Sequence, residues 1–159
     1  KTKGVKQKYI HSSNSDVFEK SKYIYGLNHI DKNADYIILT EGVFDVILPQ
    51  QFGVKNTICA LGTTLSDYQI DLLARYNKLL IIAYDCDEKG QKTLKKIIPQ
   101  LQEAGINTKV LPLPEGKDLA DIFYEYHIQA VNITDEECQK YNINKEEAKQ
   151  IVNVIKSLN

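Results

Sequence analysis

The sequence has no apolar run long enough to span a bilayer, and its three cysteines are widely spaced. Cys59, Cys86 and Cys138 are odd in number and form no Cys-x-x-Cys pair, so neither a disulfide framework nor a zinc site is indicated. No Gly-x-x-x-x-Gly-Lys-Ser/Thr loop occurs, which excludes a P-loop motor in this sequence. These absences favour a cytoplasmic chain with reduced thiols and no role in a membrane.

The chain also has no initiator methionine and no signal-peptide pattern at its first residue, Lys1, and we expect it to be a segment of a longer protein. Its 159 residues, 43% hydrophobic and 26% charged, suit one globular domain. The net charge of -1 argues against a surface that is basic throughout. Positive charge is concentrated from Lys1 to Lys22, which is typical either of a flexible lysine-rich tail or of a contact with nucleic acid.

From Tyr36 onward, short apolar runs alternate with amphipathic segments. Strands are predicted at 36–40, 57–60, 79–84 and 108–112, and helices near 21–29, at 43–52, after Ser66, at 89–104 and at 119–126. Strands that are apolar almost throughout are typical of parallel strands buried on both faces. The sequence therefore predicts an α/β fold with a mainly parallel four-stranded sheet, flanked by helices and joined by right-handed crossovers. An irregular N-terminal arm is expected before the sheet, and helices are expected at the C-terminus.

Three local signals refine the predicted helices. Ser66 and Gln69 have capping-box spacing, in which the side chain of each residue bonds the backbone N–H of the other. Pro99 is expected to break or kink the helix over 89–104. Two further boxes, Thr134 with Glu137 and Asn144 with Glu147, predict helices in the C-terminal segment.

Acidic residues follow several of the predicted strands. Glu41 comes directly after the first strand, while Asp85 and Asp87 come after the third. Ligands of open α/β sheets collect outside the carboxyl ends of the strands, so these three side chains are expected to lie together. An isolated Asp-x-Asp is often only surface polarity or a turn cap, but acidic loops after successive strands favour a site. Asp118 and Asp121 add a further acidic loop after the last strand.

Clustered carboxylates repel one another unless a cation compensates their charge. Oxygen ligands favour Mg²⁺ or Mn²⁺, and magnesium commonly shares its coordination with substrate phosphates. The pattern therefore predicts a divalent metal site suited to nucleotidyl transfer.

These motifs resemble the Toprim domain of primases, topoisomerases, some nucleases and recombination-repair proteins, whose signature is a Glu after one strand and Asp-x-Asp after a later one. Four blocks sharpen the resemblance toward DnaG-type bacterial DNA primases: EGVFDV from Glu41, ALGT from Ala60, YDCDEKG from Tyr84 and LPEGKD from Leu113. The stretch KYIHSS from Lys8, with VFEK from Val17, resembles the primase segment that precedes the catalytic core.

The resemblance implies a division of the chain and a set of roles. Residues 1–33 would join an upstream basic subdomain, residues 34–127 would form the Toprim metal-binding domain, and residues 128–159 would be a helical segment. Glu41, Asp85 and Asp87 would be catalytic and hold Mg²⁺ or Mn²⁺. The secondary metal candidates are Asp45, Asp118 and Asp121, and which of the last two reaches the metal stays open. Lys8 and Lys20 would bind the nucleotide or the template.

A primase of this family makes RNA primers on single-stranded DNA from nucleoside triphosphates, and its replicative helicase would bind through regions absent here. The fragment is expected to be monomeric and to prime weakly or not at all alone, because no zinc ribbon is present. Two alternatives remain open: a metal-dependent nuclease on the same scaffold, and a non-catalytic module that binds nucleic acid or protein. The primase-like stretch before residue 34 argues against the nuclease.

Overall fold

The structure is a computed structural model, and it describes residues 13–62, 64–85, 87–111, 113–114 and 116–126. Lys8 and Cys86 lie outside these ranges, as do Cys138 and the helices predicted in the C-terminal segment. In the described part of the chain no helix has the length and apolarity needed to cross a membrane.

The described residues form a four-stranded sheet in which every neighbouring pair is parallel, in the order β2-β1-β3-β4. The strands are β1 (Tyr36–Thr40), β2 (Thr57–Cys59), β3 (Leu79–Ala83) and β4 (Thr108–Val110). The helices are α1 (Phe44–Gln51), α2 (Asp67–Ala74), α3 (Glu88–Glu103) and α4 (Leu119–Tyr126). The predicted parallel α/β fold is confirmed.

The strands β1, β2 and β3 are largely buried on both faces, as their apolar sequences predict, whereas Lys109 and Val110 of the border strand β4 are exposed. In β1, Ile37 and Leu39 pack in one hydrophobic cluster, whereas Ile38 packs in the other, because successive side chains of a strand point to opposite faces. The first cluster contains buried side chains of α2 and α3, and the second contains those of α4. This three-layer arrangement leaves the carboxyl edge of the sheet open to the loops.

The helix predicted near residues 21–29 is wrong. Two short 3₁₀ turns, Lys20–Lys22 and Leu27–His29, stand there instead. Gly26 lies between them with a φ of +85°, a left-handed conformation that ends any helix. A Cβ atom at Gly26 would lie 2.6 Å from the backbone oxygen of Thr57, so the chain turns tightly against β2 at this point.

Pro99 does not break α3, which runs without interruption from Glu88 to Glu103. Leu94, Ile97 and Leu101 are buried on its sheet-facing side, both before and after the proline. We attribute the continuity of the helix to this burial, which outweighs the one hydrogen bond that proline removes.

The segment before β1 is attached to the body of the domain at two places. Tyr25 and Cys59 exchange backbone hydrogen bonds of 2.8 and 3.1 Å, so the segment pairs with β2. Gln69 is 2% exposed and donates from its side-chain amide to the backbone oxygen of Tyr23 at 2.7 Å. The predicted capping box of Ser66 and Gln69 is present at the start of α2.

Candidate active site

The central strands β1 and β3 bring two of the predicted acids to the same edge of the sheet. Thr40 at the end of β1 is paired with Ala83 at the end of β3. Glu41 directly follows β1, and Asp85 follows β3 after the intervening Tyr84. The parallel register therefore leads both carboxylates out at the carboxyl edge, where the sequence predicted them.

Glu41 is a largely buried carboxylate, and neighbouring groups balance its negative charge only in part. Its side chain is 14% exposed, and Oε2 lies 3.7 Å from Lys89 Nζ, too far for a hydrogen bond. Its Oε1 atom is buried and has no hydrogen-bond partner among the described residues. Burial raises the pKa of Glu41, the charges of Asp85 and Asp87 raise it further, and Lys89 opposes them. A cation at this position would stabilise the ionised form.

Asp87 begins α3 as its N-cap residue. Its side chain accepts a 2.6 Å hydrogen bond from the backbone N–H of Gly90, which satisfies one free donor of the first turn. The carboxylate therefore has a local structural role in addition to any role at the site.

Gly90 allows the first turn of α3 to approach the residues that follow β3. A Cβ atom on Gly90 would lie 2.0 Å from the backbone oxygen of Asp85 and 3.2 Å from Glu41 Oε1. Any side chain here would clash with backbone, so glycine is required for Asp85 and Glu41 to lie where they do.

Asp118 and Asp121 form the start of α4. Asp118 Oδ1 accepts from the backbone N–H of Asp121 at 2.7 Å, and Asp121 Oδ2 accepts from that of Asp118 at 3.3 Å. This reciprocal pair is the aspartate equivalent of a capping box. Both residues line a cleft of about 190 Å³ together with Asp85, Asp87, Gly116 and Lys117.

Asp45 differs from the other acids because it is buried, with 5% of the residue exposed. Its two carboxylate oxygens accept hydrogen bonds of 3.0 Å from the backbone N–H groups of Gly42 and Ala120. Burial raises the pKa of Asp45 to about 7, although both hydrogen bonds act to lower it. Asp45 thus joins the loop after β1 to α4, a role that the sequence did not suggest.

Lys20 and Asp118 line different clefts, which have no lining residue in common. Lys20 lines a cleft of about 460 Å³ with Asn14, Ser66 and the loop after β2. A Cβ atom at Gly62 would lie 3.6 Å from Lys20 Nζ, so the lysine passes close to that loop. The adjacent Leu61 has a φ of +57°, an unusual conformation for a residue with a side chain.

The predicted acids thus lie at one edge, but the side chains as placed do not form a ready ligand cage. Among the described residues, no three His, Cys, Asp or Glu side chains are positioned to hold a metal ion. The donor set nevertheless fits a hard divalent cation: carboxylate oxygens from three loops, one of them buried without a partner. The metal-ligand roles of these residues stay predictions.

Two residues near Glu41 were missed by the sequence reasoning. Lys89 pairs with Glu41, and its place two residues after Asp87, in the first turn of α3, was the available signal. Tyr84 is 2% exposed and its hydroxyl has no hydrogen-bond partner among the described residues. Burial raises the pKa of Tyr84, with a further contribution from Glu41, so its hydroxyl is neutral beneath the acidic edge.

Comparisons with known proteins show the family and the fold that this chain resembles. The Toprim-like family matches residues 38–123, a range that runs from β1 into α4. A DNA primase of Clostridium acetobutylicum is 33% identical over 165 aligned residues, which cover 96% of this chain and 28% of the relative. The chain therefore spans less than a third of that relative's length.

Two solved structures share the fold. The Aquifex aeolicus primase, with its zinc-binding and RNA polymerase domains, has a TM-score of 0.71 at 32% identity and aligns with 93% of this chain and 33% of its own. A DnaG primase catalytic domain bound to single-stranded DNA has a TM-score of 0.70 at 23% identity, covering 87% of this chain and 44% of its own. The second likeness concerns the fold alone.

Proposed function

This chain belongs to the Toprim-like family, and we propose that it forms the metal-binding catalytic core of a DNA primase of the DnaG type. The proposed activity is the synthesis of short RNA primers on single-stranded DNA from nucleoside triphosphates. The relative named a DNA primase and the Aquifex primase structure, both above 30% identity, support the assignment. A replicative helicase is a proposed partner of the longer protein.

The observation that carries the proposal is the buried Oε1 atom of Glu41, which has no partner among the described residues. A buried carboxylate oxygen left unpaired is costly, and here two aspartates nearby add repulsion. Structural acids are normally paired, as Asp45 is with two backbone N–H groups. An unpaired carboxylate at the ligand-binding edge of a parallel sheet is better explained by a cation that binds there.

Glu41, Asp85 and Asp87 would hold Mg²⁺ or Mn²⁺, and Asp118 and Asp121 line the same cleft as Asp85 and Asp87. The ion, when bound, supplies positive charge against the triphosphate and the departing pyrophosphate. Asp45 would act indirectly, because its two hydrogen bonds hold the loop that carries Glu41 against α4. This arrangement positions charge before the reaction begins, which is the main contribution of a protein to such a transfer.

In the proposed reaction the primer's 3′ hydroxyl attacks the α-phosphorus of the incoming nucleotide. A phosphodiester bond forms, the proton of the hydroxyl passes to solvent, the bond between the α-phosphorus and the oxygen that bridges to the β-phosphorus breaks, and pyrophosphate leaves. Lys20 would contact the nucleotide or the template from the cleft beside Gly62. Lys8, outside the described residues, is proposed for the same role.

The test is calorimetric titration of Mn²⁺ into the chain, with and without a nucleoside triphosphate. Asp85→Asn and Asp87→Asn remove charge from the site, whereas Asp71→Asn removes the same charge from the exposed surface of α2. We expect binding that strengthens with nucleotide and is lost in the first two variants only. Equal binding by all four proteins would reject the metal site and favour a non-catalytic binding module.

A second assay separates the two kinds of phosphate chemistry. The chain is incubated with Mg²⁺, nucleoside triphosphates and a single-stranded DNA carrying an annealed RNA primer. Metal-dependent extension of the RNA that Asp85→Asn abolishes supports the primase core, whereas metal-dependent cleavage of the DNA would identify a nuclease. We expect extension of a supplied primer to exceed new initiation, because the chain has no zinc ribbon of its own.

A further inference from the structure

A third cleft, whose lysines the proposed metal chemistry does not use, lies along the start of α3. It is open to solvent, has a volume of about 570 Å³ and is lined by Lys89, Lys92 and Lys96, with Thr64 and Thr93. Asp87 and Glu88 also line it. Three ammonium groups against two carboxylates leave a net positive charge in the cleft, which suits anionic oxygen atoms.

The three lysines form a row along one face of the helix. Their spacing of three and then four residues places them on successive turns, and the row extends over about 10 Å at 1.5 Å per residue. The opposite side of α3 is fixed to the core through Leu94, Ile97 and Leu101, so the helix holds the row toward the cleft. The positive charge is therefore displayed in a line.

This lysine cleft adjoins the two clefts already described and shares one lining residue with each. Asp87 lines both it and the acidic cleft that contains Asp85 and Asp118. Thr64, in the loop after β2, lines both it and the cleft that contains Lys20. At the carboxyl edge, the acidic cleft, the lysine cleft and the cleft that contains Lys20 are therefore neighbours.

We propose that the row of Lys89, Lys92 and Lys96 binds consecutive phosphates of a nucleic-acid strand that passes the acidic site. The proposal rests on the proposed function in one respect: a strand bound by these lysines would lead to or from the reacting groups at the acidic site. A linear row fits a polymer of phosphates better than it fits one triphosphate, whose charges converge on a small volume. DNA and RNA strands share this chemistry, and separate affinity measurements on the two strands distinguish them.

The ion pairs within the cleft do not prevent this binding. Lys92 pairs with Glu88 at 2.5 Å, but both side chains are mostly exposed, at 73% and 85%. Exposed pairs of this kind contribute little to stability and exchange partners readily in the presence of a stronger anion. Lys89 is also the residue that compensates Glu41, so it connects the row with the catalytic edge.

The test uses Lys92→Gln/Lys96→Gln, which removes two positive charges and leaves Lys89 in place beside Glu41. Its control is Lys32→Gln/Lys55→Gln, two exposed lysines that precede β1 and β2 at the opposite edge of the sheet. Fluorescence anisotropy then measures the affinity of the full chain for labelled single-stranded DNA and RNA over a range of salt concentrations. We expect the slope of log affinity against log salt to fall by about 1.4 in the first variant, at about 0.7 for each phosphate that a lysine no longer neutralises, and to stay unchanged in the control.

A wild-type chain that binds neither strand, or equal slopes in the wild type and the cleft variant, would overturn the proposal. An equal loss of slope in the control variant would also overturn it, since the effect would then be one of net charge. If the variant binds a nucleoside triphosphate less well and both strands as before, the cleft is a triphosphate site and the proposal is wrong. A loss confined to DNA or to RNA identifies which strand the row binds.

Failure of this proposal is distinguishable from failure of the proposed function. Mn²⁺ binding without nucleic acid depends on the acids alone, and it is expected to be the same in the wild type and in Lys92→Gln/Lys96→Gln. Conversely, Asp85→Asn is expected to lose the metal and to keep the salt dependence of strand binding. Each variant therefore tests one site.

Discussion

Asp45, in the first turn of α1, accepts a hydrogen bond of 3.0 Å from the backbone N–H of Ala120, in the first turn of α4. Its other oxygen accepts from Gly42, directly after Glu41 in the chain. One buried carboxylate thus connects the loop that presents Glu41 with the helix that begins at the Asp118 loop. The geometry of the acidic edge depends on a residue that need not touch a ligand.

Asp45→Asn is expected to lower the free energy of unfolding by about 1–3 kcal/mol. The amide has nearly the same shape but only one accepting atom, so either Gly42 or Ala120 is left with a buried N–H facing an NH₂ group. Urea denaturation in the presence of a chelator measures the loss at a pH well above the pKa of about 7, where Asp45 is ionised and both of its oxygens accept. The exposed Asp35→Asn serves as the control, and an equal effect of the two substitutions would contradict the role assigned to Asp45.

Two substitutions at Asp87 separate its structural role from its proposed metal role. Asp87→Ala removes the N-cap of α3 and is expected to cost about 0.5–2 kcal/mol, whereas Asp87→Asn keeps an accepting oxygen and costs less. Both are expected to weaken Mn²⁺ binding, because both remove the negative charge. Thermal unfolding and calorimetry measure the two effects, and normal metal affinity in Asp87→Asn would remove Asp87 from the ligand set.

Gly90→Ala is expected to destabilise the domain more than any other glycine-to-alanine change near α3. The new methyl group would lie 2.0 Å from the backbone oxygen of Asp85, which forces the backbone to move and costs about 3 kcal/mol or more. Gly105→Ala is the matched comparison: its φ is +76°, but no atom lies within 4 Å of the added carbon. That strain alone costs about 1–2 kcal/mol. Equal stabilities in urea would refute the steric explanation.

Gln69→Glu tests how the segment before β1 is held. The glutamate can still accept from the backbone N–H of Ser66, but when ionised it cannot donate to the backbone oxygens of Tyr23 and Ala60. We expect a loss of about 1–3 kcal/mol at neutral pH.

The loss should shrink with acidification, because the protonated carboxyl regains one donor as the pH falls through its pKa. Urea titrations at several pH values measure this dependence, with the exposed Gln102→Glu as control. A loss that is independent of pH would show that the amide's hydrogen bonds are not its cause.

The sheet and the position of its acids followed from local patterns in the sequence. Apolar runs predicted the strands, and because parallel strands end at a common edge, Glu41 and Asp85 had to emerge near each other. The capping box at Ser66 fixed the start of α2 in the same way, since all its partners lie within three residues.

The features that could not be predicted from the sequence depend on contacts between residues that are far apart in the chain. Ala120 lies 75 residues from Asp45, so no local pattern indicates that this aspartate is buried and bonded to two backbone groups. The left-handed turn at Gly26 is determined by the closeness of Thr57, which only the folded sheet provides. The helix predicted near residues 21–29 had no sustained apolar period behind it, and the contacts with β2 and Gln69 that shape this segment are tertiary.

The backbone pairing of Tyr25 with Cys59 has a consequence for self-association. An unpaired strand at the border of a sheet offers its N–H and C=O groups to other chains and so promotes aggregation. In this protein a residue that precedes the sheet occupies that position on β2. A chain shortened to begin at residue 34 would keep β1 to β4 and lose the backbone partner of Cys59, and its solubility would then depend on what else covers the border of β2.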